Sequence, residues 1–217
     1  MLKSNAMWLI PVALIISNFT LAPAEASEQA TYTFSSTYDT INTTKLFSTD
    51  LQSTVSTGNS YNAPYGLTKI NNLIYGQIDL TTGKFSTNTD PTIFSLQNVP
   101  QGYIELSGNG DDKLFGTNSA IGSINFATAI GTNNGSVNIT GGKGRFAGAI
   151  GTLSFEQIDS LGNLADDTLP FKGKVSLNGS FRTVPEPRMG AALASLGMIG
   201  ASFLLYQRRC RVSKTFV

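Results

Sequence analysis

The chain contains no histidine, and its single cysteine is Cys210, seven residues from the end. Without histidine the commonest general base, the commonest metal ligand and the usual serine triad are all missing. One cysteine near the C-terminus leaves the rest of the chain with no disulfide, no thiol nucleophile and no zinc site of the usual kind. Charge is also scarce: Asp, Glu, Lys and Arg make up 13% of 217 residues, with a formal net charge of +1. Much of the basic charge sits at the ends, so the middle is mildly acidic and does not suit a nucleic-acid partner. No stretch between the ends carries a 3.6-residue apolar period, which argues against helices there. Ser, Thr, Asn and Gly are abundant instead, as on the surface of a β-rich extracellular protein.

The first residues place Lys3 before the apolar run Met7 to Ile16, and then the small residues Ala22, Ala24 and Ala26. A basic start, a short apolar middle and an A-x-A site predict a secretory signal peptide over 1–26, with cleavage after Ala24 or Ala26. At the other end, Met189 to Tyr206 carries no charge. As a helix it would measure about 27 Å, enough for a hydrocarbon core. Arg208, Arg209 and Arg211 follow as stop-transfer charges and would hold the tail in the cytoplasm. Domain boundaries follow: a signal peptide at 1–26, an exported domain at 27–183 and a C-terminal segment at 184–217.

Val184, Pro185, Glu186 and Pro187, then one apolar span, then an arginine cluster, resemble in that order the PEP-CTERM sorting signal. That resemblance implies a bacterial exosortase as partner, cleavage near the motif, and transfer to the cell envelope or an exopolysaccharide matrix. The two prolines keep the motif extended, the form a protease cleft grips.

Within 27–183 the apolar residues recur with period two. The expected strands include Tyr32 to Phe34, Leu73 to Leu80, a return at Phe85 after a Thr82-Gly83 turn, Thr92 to Leu96, and Tyr103 to Ser107. Ser123 to Ile130 follows, then an Asn134-Gly135 hairpin turn and the return strand "SVNIT". "GTLSFEQI" and "GKVSLNGSF" come last. Residues 51–65 and 159–170 read as loops. About nine short strands predict an all-β fold, a single antiparallel barrel or else a sandwich.

Two glycine-rich stretches invite chemical readings. "SGNGDDKLFG" matches one turn of a calcium-binding nonapeptide repeat at Gly108, Gly110, Asp112, Leu114 and Gly116. One repeat supplies half a site, and Asn109, Asp111 and Asp112 give too few oxygens for a six- to eight-coordinate ion. The favoured reading is a hairpin turn, with no metal site assigned; calcium-dependent adhesion is a third functional possibility. "ITGGKGRFAGAIGTLSF" suggests a nucleotide fingerprint, but β-patterned residues follow where a helix N-terminus is required. A tight turn at Gly141-Gly142 and a kinked strand are expected instead. The block resembles the "GGTGRF.GA.G" stretch of the allene oxide cyclase and dirigent β-barrel group. Gly141, Gly142, Gly144, Arg145, Phe146, Gly148, Ala149 and Gly151 match, while Lys143 and Ile150 depart from the pattern. The resemblance implies a barrel whose cavity holds a small apolar ligand or a phenoxy radical; no catalytic residue transfers. Arg145 is expected to be a structural hydrogen-bonder.

Glu105 and Glu156 fall in strand patterns, and nothing in their spacing makes them a glycosidase pair. Asp111-Asp112 and Asp166-Asp167 read as solvated loop charges. No cofactor is implied. The expected function is therefore that of a non-enzymatic exported surface or matrix protein. The alternative is a small apolar ligand-binding or cyclase-like barrel, marked by a cavity of a few hundred Å³.

Overall fold

The computed structural model describes residues 29–162 and 169–184. The expected signal peptide at 1–26, Asp166-Asp167, Pro185, Glu186, Pro187, the apolar span and Arg208, Arg209 and Arg211 lie outside the described residues. Among the described residues nine strands form one antiparallel sheet: β1 Thr31–Leu46, β2 Leu51–Asn59, β3 Lys69–Ile78, β4 Lys84–Asn88, β5 Tyr103–Ser107, β6 Lys113–Asn125, β7 Ile130–Lys143, β8 Ala149–Ser160 and β9 Phe171–Thr183. The order β2-β1-β9-β8-β7-β6-β4-β3 closes on itself because β3 also pairs with β2. The fold is thus a barrel rather than a sandwich, and closure removes the unpaired edges of an open sheet.

The ring has one shared position. β4 pairs with the Tyr75–Ile78 end of β3, and β5 with its Lys69–Leu73 end. β6 does the same on the other side, facing β4 at Ser119–Ser123 and β5 at Lys113–Gly116. β4 and β5 therefore act as one interrupted strand, with residues 89–102 bulging out between them. Thr92 to Leu96, expected as a strand, lies in that excursion, partly in a 3₁₀ turn at Pro91–Phe94. Pro91 cannot donate to a ladder, and the Asp90 carboxyl accepts from the Thr92 N–H and starts the turn instead.

Side chains alternate inward and outward, but the inward set changes character along the barrel. Along β1 it runs Phe34, Ser36, Tyr38, Thr40, Asn42; along β8 it runs Ala149, Leu153, Phe155, Asp159, all buried. β1 and β8 run parallel, each antiparallel to β9, so both go from an apolar end to a polar end.

At the apolar end Phe146 is fully buried against Tyr32, Tyr65 and Phe181, with ring centroids 5.3 to 6.0 Å apart. Edge-to-face pairs at such spacing add to the burial of the rings themselves. The Tyr38 hydroxyl donates to the Leu67 carbonyl at 2.6 Å and ties the loop after β2 into this plug. Both ends of the described domain leave here: Thr31 pairs with Arg182, and the Thr183 N–H donates to the Ala30 carbonyl.

Four further expectations change. Residues 51–59 form β2 rather than loop, because its inward residues are Thr54 and Ser56, facing the polar end. No apolar alternation marks such a strand. Asn134-Gly135 lies mid-strand in β7, and the β6–β7 turn falls at residues 126–129, with Ala129 at φ 52°. A Cβ on Gly135 would strike the Ser119 carbonyl, so this glycine serves close strand approach rather than a turn. Gly141-Gly142 ends β7 beside a bulge opposite Phe115 and Gly116, and the turn itself is the 3₁₀ segment Gly144–Phe146. Asp159 belongs to β8 rather than to the loop after it.

Candidate functional site

The two glycine-rich stretches meet. β5 and β6 form a hairpin around residues 108–112, as expected for "SGNGDD". Across its mouth the Asp112 carboxylate accepts from the Arg145 backbone N–H at 2.8 Å and from Arg145 Nε at 2.6 Å. Arg145 Nη2 also donates to the Tyr65 carbonyl at 2.8 Å, and the guanidinium lies over the Phe146 ring. These donors hold the Asp112 carboxyl below its ordinary range, the backbone bond contributing most. Gly144, at φ +64°, makes this approach possible; a Cβ there would strike the Asp112 carboxylate. Arg145 is thus a clamp over the aromatic plug, and Asp112, the best calcium-ligand candidate by pattern, is occupied by it.

Glu105 and Glu156 are not brought together. Glu105 accepts from Lys113 Nζ at 2.9 Å on the outer wall beside β3, whereas Glu156 is exposed on β8 and borders a different outer depression. Those two depressions, about 1070 and 950 Å³, are shallow and lined largely by outward residues such as Ile121, Asn134 and Ile158, or Asp39, Lys69 and Lys172. Asp111 stays exposed in the hairpin turn. Val184 is the one residue of the sorting motif inside the described range; its N–H donates to the Gly148 carbonyl at 3.1 Å.

The residues that converge are at the polar end of the interior. Asp159 on β8 sits directly across from Gly173 on β9, and Gly173 across from Thr40 on β1. A Cβ on Gly173 would meet the Asp159 carboxylate, the Thr40 hydroxyl and the Asn42 amide. Glycine there lets those three side chains approach one another over bare backbone. Asn42 Nδ2 donates to Asp159 Oδ1 at 3.1 Å, and Gln157 Nε2 donates to Oδ1 at 2.8 Å and Oδ2 at 2.9 Å. Burial pushes the Asp159 carboxyl up to about 6; the bonds from Gln157 and Asn42 pull the other way and offset it only in part. Nearby oxygens are left over: Thr40 Oγ1, Asn42 Oδ1 and Asn133 Oδ1 are buried and make no hydrogen bond among the described residues. The adjacent cavity measures about 60 Å³. Pockets for drug-sized ligands run to roughly 300–1,000 Å³, so this one is small.

None of these converging residues stands out in the chain by motif. The available signal was parity: Leu153, Phe155, Gln157 and Asp159 share one face of β8, so an inward Leu153 makes Asp159 inward too. Among the described residues no three His, Cys, Asp or Glu side chains gather as a metal site, and no helix is long and apolar enough to cross a membrane. No family model, curated protein or solved structure matches the chain.

Proposed function

We propose that this chain is a non-enzymatic bacterial surface or extracellular-matrix protein. It is exported by a signal peptide over 1–26 and sorted through a PEP-CTERM-like signal over 184–217 that an exosortase processes. The observation that carries the reading is the order of three parts: Val184-Pro185-Glu186-Pro187, the uncharged run Met189 to Tyr206, and Arg208, Arg209 and Arg211. Before processing, the apolar run would anchor the chain in the membrane; afterwards the barrel would join the envelope or an exopolysaccharide. The membrane and the exosortase are its partners, and no cofactor or reaction is assigned to the barrel.

The domain layout supports this reading. Strand β9 ends at Thr183 and, among the described residues, the last backbone tie is at Val184, so a cut beyond the motif leaves all the described strands intact. The first and last strands leave the barrel side by side at the plugged end, away from the polar end. The modest interior cavity suits a packed structural barrel better than a container for a small apolar ligand or radical. The match of Gly141 to Gly151 with the dirigent-like group therefore enters the proposal for fold only.

The test is a variant carrying Pro185→Ala and Glu186→Ala, expressed in the native cells and followed by fractionation. A precursor accumulating in the membrane, with less protein in the envelope or medium, is the expected result. An unchanged distribution would leave the motif without a sorting role.

A further inference from the structure

We propose that the polar end of the barrel interior is a binding site for a small primary alkylammonium ion, whose –NH₃⁺ group is held by Asp159 and the buried oxygens around it. Among the described residues, Asp159 is the only charged side chain lining the cavity, which also presents Gln157, Asn133, Thr54 and Ser56. A lone buried carboxylate makes the site attractive to one positive charge and hostile to anions.

The hydrogen-bond inventory selects further. The amide donors of Gln157 and Asn42 are already spent on Asp159. Among the described residues, the buried atoms near Asp159 that lack a partner are all oxygens: Asn133 Oδ1 on the cavity wall, and Asn42 Oδ1 and Thr40 Oγ1 beside Asp159. Asn42 and Thr40 are almost fully buried, at 0% and 3% exposure. Free acceptors call for a guest rich in donors, and an ammonium group brings three donors and no acceptor. Charge assistance makes its bonds to a carboxylate stronger than neutral ones. A divalent metal fits less well, because calcium wants six to eight oxygens and here one carboxylate would carry the charge.

Size and wall chemistry set the rest of the ligand. One water needs about 10–15 Å³ of such space, so a cavity of about 60 Å³ takes a guest of about four heavy atoms. Ile74, Phe85 and Phe171 complete the lining and would pack against a short alkyl chain. Methylammonium to propylammonium is the range that fits.

The experiment is thermal unfolding of the full chain in detergent at pH 8, titrated with methylammonium or propylammonium chloride. Potassium chloride and tetramethylammonium chloride serve as matched salts; the latter carries the same charge without an N–H. The expected result is a saturable rise in midpoint with the primary ammonium ions alone. Asp159→Asn should weaken the response by about tenfold or more, and Asn133→Ala, which keeps the carboxylate, by a few-fold. Should Asp159→Asn fail to fold, Asn133→Ala and the salt comparison carry the test. The proposal is overturned if the primary ammonium salts act no differently from potassium or tetramethylammonium on the unaltered protein. An unweakened response in the folded variants overturns it equally.

Discussion

Replacing Asp159 by asparagine should change stability by an amount that depends on pH, and the sign is fixed by the direction of the carboxyl's displacement. In the folded barrel the group titrates near 6, against an ordinary value of 3.8. Between those values the native state holds a proton that the unfolded chain has lost, so stability falls as pH rises through that window. Below about 4 both states are protonated and nothing is lost. Above about 6 the barrel bears the full cost of an ionised, buried carboxylate. A difference of about two pH units corresponds to about 3 kcal/mol. Other carboxyls obscure this in the parent protein alone. Hydrogen bonds hold Asp50, Asp79, Asp90 and Asp112 below the usual range, so their contributions run the opposite way and are lost on acidification. Both proteins carry those groups, so they cancel in the difference. The assay is urea unfolding of parent and Asp159→Asn from pH 3.5 to 7.5 in amine-free buffer. The parent's stability relative to the variant should improve by about 3 kcal/mol from the top of that range to the bottom. A difference that stays flat with pH would refute the claim that Asp159 is buried and ionisable in the barrel.

Other expectations concern the two ends of the barrel. Gly144→Ala should destabilise by about 1–2 kcal/mol from the left-handed backbone alone, with more from collision with Asp112, whereas Gly110→Ala, in open space, should be nearly neutral; chemical denaturation of the pair checks this. Asp112→Ala and Arg145→Ala should each lower the melting temperature, and the double variant should melt near the worse single one, because both remove the same clamp. Phe146→Ala should cost about 3–5 kcal/mol, since its ring is fully buried among Tyr32, Tyr65 and Phe181. Gly173→Ala should cost about 1–3 kcal/mol by forcing Asp159 and Thr40 apart, read in the same urea assay.

The legible parts of the barrel were those whose inward residues are apolar. Tyr103 to Ser107 is β5 as expected, and the strands around Leu153 and Leu177 are where alternation put them. The polar half hid itself. β2 presents Thr54 and Ser56 to the interior, so its pattern has no hydrophobic face to detect. Asn134-Gly135 misled because a hairpin dipeptide and a glycine admitting a neighbouring strand look alike in sequence; only pairing with Ile121 and Ala120 separates them. The converging side chains were hidden for another reason. Thr40, Asn42, Gln157 and Asp159 come from strands more than 100 residues apart, and the glycine at 173 that unites them gives no local signal. Arg145 as a structural hydrogen-bonder was legible, though not its partner Asp112.

The central claim, export and sorting through the C-terminal segment, is tested most directly by the intact mass of the protein isolated from its native cells. The account predicts a mass lacking residues 1–26 and everything beyond the PEP region, with or without an added group at the new end. A mass that retains Met189 to Val217 would contradict it and make the C-terminal segment a permanent anchor.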